Sequence, residues 1–82
     1  MKKGQAGSLE SSDCLVTIEE SPTGEISIDS VVGAFFHDQI EAIVKTTLQE
    51  KHLEHVRVHI QDRGALDATI RARLLTAIER MM

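Results

Sequence analysis

Eighty-two residues allow one domain with a thin core and little room for a deep cavity. Aromatic residues make up 2% of the chain and the formal net charge is −4, so the stacking platforms and the basic footprint of a nucleic-acid binder are both missing. A single cysteine excludes an intramolecular disulfide, no apolar run reaches the length of a membrane span, and Lys2-Lys3 precede no apolar h-region, so a reducing cytoplasm is the expected compartment.

Residues 1–13 are small, polar and rich in Gly and Ser, and read as a flexible arm ahead of a single domain over 14–82. From Cys14 the pattern alternates: Cys14, Val16 and Ile18 against Leu15, Thr17 and Glu19 predict a half-buried strand. Ser21-Pro22-Thr23-Gly24 signals a turn, after which Ile26 and Ile28 mark a second strand, pairing with the first as a hairpin. The period then changes. Val32, Phe35, Phe36, Ile40, Ile43, Val44 and Leu48 recur every three or four residues, predicting a helix capped by Asp29 or Ser30 and ending near Lys51 or His52. Val56, Val58 and Ile60 predict a third strand, Asp62-Arg63-Gly64 a turn, and the stripe Leu66, Ile70, Leu74, Ala77, Ile78, Met81 a second helix. The expected fold class is α+β: a two-layer domain of order β-β-α-β-α, with a small mixed or antiparallel sheet covered on one face by two helices.

Few residues suggest chemistry of their own. Ser11, Ser12 and Cys14 are potential nucleophiles and His37, His52, His55 and His59 potential bases, but a serine on a mobile arm lacks the ordered shell that nucleophilic catalysis needs. Cys14, in register with Val16 and Ile18 and next to Asp13, reads as a small core residue. His52, His55 and His59, with one thiol in the chain, do not make a closed metal site. Arg71 and Arg73 read as a solvated helix face, with docking as the alternative. Ser30, in Asp29-Ser30-Val31, resembles the Asp-Ser-Leu attachment site of four-helix acyl carrier proteins, yet it follows a strand, where capping is its expected role.

The string Ala6-Gly7-Ser8-Leu9-Glu10-Ser11-Ser12-Asp13 closely resembles the N-terminal A-G-[ST]-L-E-S-[SG]-D segment of citrate lyase acyl carrier proteins, the gamma subunits. Ile28-Asp29-Ser30-Val31, Asp62-Arg63-Gly64-Ala65-Leu66-Asp67 and Arg71-Ala72-Arg73 extend the likeness in order along nearly the whole chain. Phe36-His37-Asp38 departs from the Gly-containing stretch usual in the first helix, and many relatives carry a longer tail. The resemblance implies a carrier with no catalytic centre of its own. Ser11 would hold 2'-(5''-phosphoribosyl)-3'-dephospho-CoA through a phosphodiester, its thiol bearing acetyl or citryl while citrate is cleaved to acetate and oxaloacetate. The implied partners are the transferase (alpha) and lyase (beta) subunits and a prosthetic-group transferase. The neighbouring readings are a malonate decarboxylase carrier, or an interaction module whose arm is an ordinary disordered tail.

Overall fold

A computed structural model describes residues 2–31, 33 and 36–82. Its elements are β1 (Lys3–Gly7), β2 (Cys14–Glu20), β3 (Glu25–Ser30), α1 (His37–Glu50), β4 (Val56–Asp62) and α2 (Asp67–Met81). The four strands form one sheet in the order β1-β2-β4-β3, antiparallel except for the β3–β4 pair, which is parallel. Val16, Ile18, Val58 and Ile60 point to one face and meet Ile40, Val44, Ile70, Leu74, Ala77 and Ile78 from the helices, giving the expected two-layer α+β domain.

Two expectations are corrected. Order begins before Cys14, because Lys3–Gly7 is an edge strand whose Ala6 is buried opposite Val16. Its inward-facing residues, Gly4 and Ala6, are small because α2 crosses directly above them. A Cβ built on Gly4 would lie 1.9 Å from the Ala77 carbonyl oxygen and 2.6 Å from the Met81 amide nitrogen. The same smallness that admits the helix gave the segment the composition of a disordered arm.

The second correction concerns pairing. β2 and β3 do not form a hairpin; β4 lies between them, in register with Ile18 through Val58 and with Ile28 through Ile60. The connection at 21–24 therefore spans two strand spacings, about 9–10 Å, which four extended residues can reach. It passes over the start of β4, where the Ser21 N–H donates to the His55 carbonyl at 3.0 Å and a Cβ on Gly24 would meet the Glu54 carbonyl oxygen at 2.9 Å. Parallel β3 and β4 are joined by α1, as parallel pairing requires a crossover of this length.

Helix α1 begins at His37, and Val32 and Phe35 of the expected stripe fall outside the described residues. Neither Asp29 nor Ser30 caps it. Its N-cap is Phe36, without a side-chain cap bond, and Ser30 Oγ donates instead to Asp62 Oδ2 at 2.8 Å. The other end closes in a Schellman arrangement: the His52 N–H donates to the Gln49 carbonyl and the Leu53 N–H to the Leu48 carbonyl, with His52 left-handed at φ 56°. In α2 the stripe holds from Ile70 to Met81, but Leu66 stands outside it, 76% exposed. Arg71 is not a free surface cation, since it bonds Glu50 at 2.7 Å and Thr47 Oγ1 at 3.2 Å and so ties the helices together.

Two substitutions test this packing by thermal and urea unfolding. Gly4→Ala forces a methyl against backbone that cannot give way, and is expected to cost about 3 kcal/mol or more. His52→Gly relieves a left-handed residue and is expected to stabilise by about 1 kcal/mol.

Candidate functional site

The β1–β2 connection, 8–13, carries Ser11 at its exposed tip. It starts from Gly7, whose φ of +102° and close approach to β2 exclude a side chain: a Cβ would fall 1.8 Å from the Cys14 carbonyl oxygen. The Ser8 N–H donates to that same carbonyl at 3.1 Å, and the Asp13 N–H to the Glu10 carbonyl at 3.2 Å. Ser12 takes a left-handed φ of 66°, which turns the chain back into β2.

The turn is then fastened from outside. Asp13 accepts from Arg73 in bidentate fashion, Nε to Oδ1 at 3.0 Å and Nη2 to Oδ2 at 3.1 Å. Its carboxylate also accepts from Ser8 Oγ at 2.7 Å and from the Cys14 N–H at 2.7 Å. The Arg73 guanidinium, then Ser8 and the Cys14 N–H, hold the Asp13 carboxyl down at about 2, against a smaller opposing effect of burial. A second fastening comes from the β4–α2 turn: the Ser12 N–H donates to the Arg63 carbonyl at 2.8 Å, and the Arg63 N–H to the Asp13 carbonyl at 2.9 Å.

That β4–α2 turn is itself built on Asp62, which is 1% exposed. One of its oxygens accepts from Ser30 Oγ and the other from the Ala65 N–H at 2.9 Å, while Gly64 turns the chain at φ +90°. Beside the turn lies a groove of about 610 Å³ lined by Phe36, Gln39, Ile40, Ala65, Leu66 and Ile70, among others.

The other sequence candidates fall elsewhere. Cys14 is fully buried, and burial, reinforced by the charges of Asp13 and Asp62, pushes its thiol up to about 11, so it stays protonated and inert. His37 sits beside Asp38 and Glu41, His52 occupies the C-terminus of α1, His55 precedes β4, and His59 lies mid-strand between Thr17 and Ser27. None joins Ser11, and no cluster of three or more His, Cys, Asp or Glu able to hold a metal occurs among the described residues. Arg73, expected on a solvated helix face, is instead the brace of the turn. Its partner is 60 residues away in sequence, a pairing that helical periodicity does not reveal. The arrangement holds no histidine near the serine and offers two exposed hydroxyls, those of Ser11 and Ser12, on a fastened turn.

Relatives with this architecture are known. The family model described as ACP, malonate decarboxylase delta subunit, matches residues 1–81. The chain belongs to this acyl carrier protein family. It is thus a carrier subunit without a catalytic centre. It is 40% identical over 80 residues to the citrate lyase acyl carrier protein of Halothermothrix orenii, covering 96% of this chain and 85% of the relative. The counterpart from Treponema denticola is 39% identical over 79 residues, covering 96% and 91%. A chain in the crystal structure of a Pseudomonas malonate decarboxylase hetero-tetramer in complex with malonate superposes with a TM-score of 0.81 at 19% identity, over 99% of this chain and 84% of that one. This last likeness establishes the shared fold.

The Asp13 carboxyl is lowered on folding from 3.8 to about 2, so the stability it contributes is present above pH 4 and lost as the pH falls toward 2. Amide exchange at Ser12 and Asp13 is expected to be flat from pH 7 to 5 after correction for intrinsic rates, and to lose protection across that acid window. Asp13→Asn is expected to remove the transition and leave those amides weakly protected throughout.

Proposed function

We propose that the chain is the acyl carrier subunit of a citrate lyase, working in the cytoplasm, and that Ser11 is its attachment residue. The observation that supports this most directly is the exposed Ser11 hydroxyl at the tip of a turn fastened by Asp13–Arg73 on one side and by Arg63 on the other. A phosphodiester to 2'-(5''-phosphoribosyl)-3'-dephospho-CoA needs an accessible hydroxyl and tolerance for negative charge. Ser11 supplies the first, and its place at a solvent-exposed tip, where water and salt screen charge, allows the second. The attached group supplies a thiol that bears the acyl unit as a thioester. The chain's own part is to hold the attachment point in fixed orientation, to present it to a prosthetic-group transferase, and to keep it within reach of the alpha and beta subunits. Tethering makes encounters with both subunits intramolecular, at raised effective concentration.

Ser30 is the poorer candidate, because its hydroxyl is already engaged with the buried carboxylate of Asp62. A malonate decarboxylase carrier is the second reading, favoured by the description of the family model and by the solved neighbour. The curated relatives at about 40% identity favour citrate lyase.

Peptide mass spectrometry on protein from its native host, grown on citrate, is expected to find the adduct on Ser11. An adduct on Ser30, or an unmodified chain, overturns the assignment. Ser11→Ala is expected to abolish loading without a change in melting temperature. Arg73→Met frees the turn and is expected to slow loading about two- to tenfold, as pre-organisation of the turn is lost. Release of carbon dioxide from malonate by the purified complex, in place of oxaloacetate from citrate, would select the second reading.

A further inference from the structure

The molecule has two unlike poles. At one lie the C-terminal ends of β3 and β4, the N-terminal ends of both helices and the turn that carries Ser11, which the β4–α2 turn bonds directly. Gln39 Nε2, donating to Asp67 at 2.8 Å, joins the two helix starts there. Six carboxylates, those of Glu10, Asp13, Asp29, Asp38, Asp62 and Asp67, belong to this pole, against the two guanidinium groups of Arg63 and Arg73. The remaining seven carboxylates and seven Lys and Arg side chains of the chain cancel, so the whole formal charge of −4 falls on the Ser11 pole. Asp13 is neutralised by Arg73 and Asp62 is buried, which leaves Glu10, Asp29, Asp38 and Asp67 facing solvent.

The same pole gathers the apolar surface. Of the five large hydrophobic residues exposed among the described residues, four are here: Leu66 at 76%, Val31 at 63%, Leu9 at 51% and Phe36 at 40%. Leu9 is two residues from Ser11, the Val31 N–H bonds the Asp62 carbonyl, and Leu66 immediately precedes α2, directly after the turn that fastens Ser12.

We propose that this pole is the face on which an enzyme subunit of the complex docks, the subunit offering an apolar recess for Leu66 ringed by Lys and Arg side chains. The inference rests on the carrier reading above. An apolar centre with a charged rim is the anatomy of a protein interface, the centre giving affinity and the rim giving rate and choice of partner. The charge also selects among occupants. A second copy of the chain would bring two poles of like charge together, and an anionic membrane would repel this one. Docking here sets Ser11 at the edge of the footprint, where an arm attached to it enters the subunit while the carrier stays bound.

The test uses the full chain carrying Ser11→Ala, so that docking is read apart from modification, and measures its affinity for each purified subunit of its complex by biolayer interferometry. Leu66→Glu is expected to weaken binding about tenfold or more. Glu10→Lys with Asp38→Lys is expected to slow association severalfold and to flatten its dependence on salt. Lys51→Glu, at the opposite pole, is expected to stay within about twofold of the parent. Leu66→Ser, with a residue favoured at a helix N-cap, guards against misfolding and is expected to weaken binding as well. Parental affinity in both Leu66 variants overturns the proposal. So does a larger loss with Lys51→Glu, or self-association through this pole. An unmodified Ser11 in the native protein would instead sink the carrier reading and leave these affinities unchanged.

Discussion

The bidentate pair between Asp13 and Arg73 is the contact on which the presentation of Ser11 depends. One carboxylate receives four donors, two from the guanidinium, one from the Ser8 hydroxyl and one from the Cys14 amide. Ser8 and Cys14 stand at the two ends of the turn, so a single anionic group closes it and, through Arg73, docks it on α2. Charge-assisted, planar and doubly bonded, the contact sets orientation as well as energy. A lysine in place of Arg73 would keep the charge and lose the fork.

The remaining family-like segments serve the same end. Ala6 anchors β1 in the core and Gly7 lets β1 approach β2 where no side chain fits. Asp62 organises the neighbouring turn from beneath, so that the Arg63 backbone can hold Ser12 and Asp13. The string from Ala6 to Asp13 is therefore mostly scaffolding around an exposed tip, Ser11 and Ser12. A carrier needs reach, and a fastened turn supplies none; with the proposed attachment at Ser11, reach would belong to the prosthetic arm and the protein would contribute a fixed origin for it.

Much of the core was legible, because β2, β4 and the buried faces of both helices follow the periods of two and 3.6 that burial imposes. The rest was hidden for identifiable reasons. Gly4 and Ala6, the buried positions of β1, are small since α2 leaves no room for bulky or β-branched residues there, and small residues carry no strand signal. Sequence neighbours suggested a hairpin of β2 and β3, whereas the choice of β4 as central strand is made by long-range packing. Leu66 fitted the helical period yet lies just before the helix, where the period no longer applies. Ser11 was singled out by resemblance; its exposure was legible from composition, and the brace beneath it was not.

The hollow at the opposite pole is lined by Lys2, Glu20, His52 to Val56, Met81 and Met82, so both ends of the described chain meet there. With β1 paired to β2 and α2 packed across it, both ends are held in place. An affinity handle, a fluorescent fusion or a surface linker joined at either end would leave from the side away from Ser11. The two ends also lie near enough for a short peptide to join them, so cyclisation or circular permutation becomes a route to rearranging the chain without disturbing the serine turn.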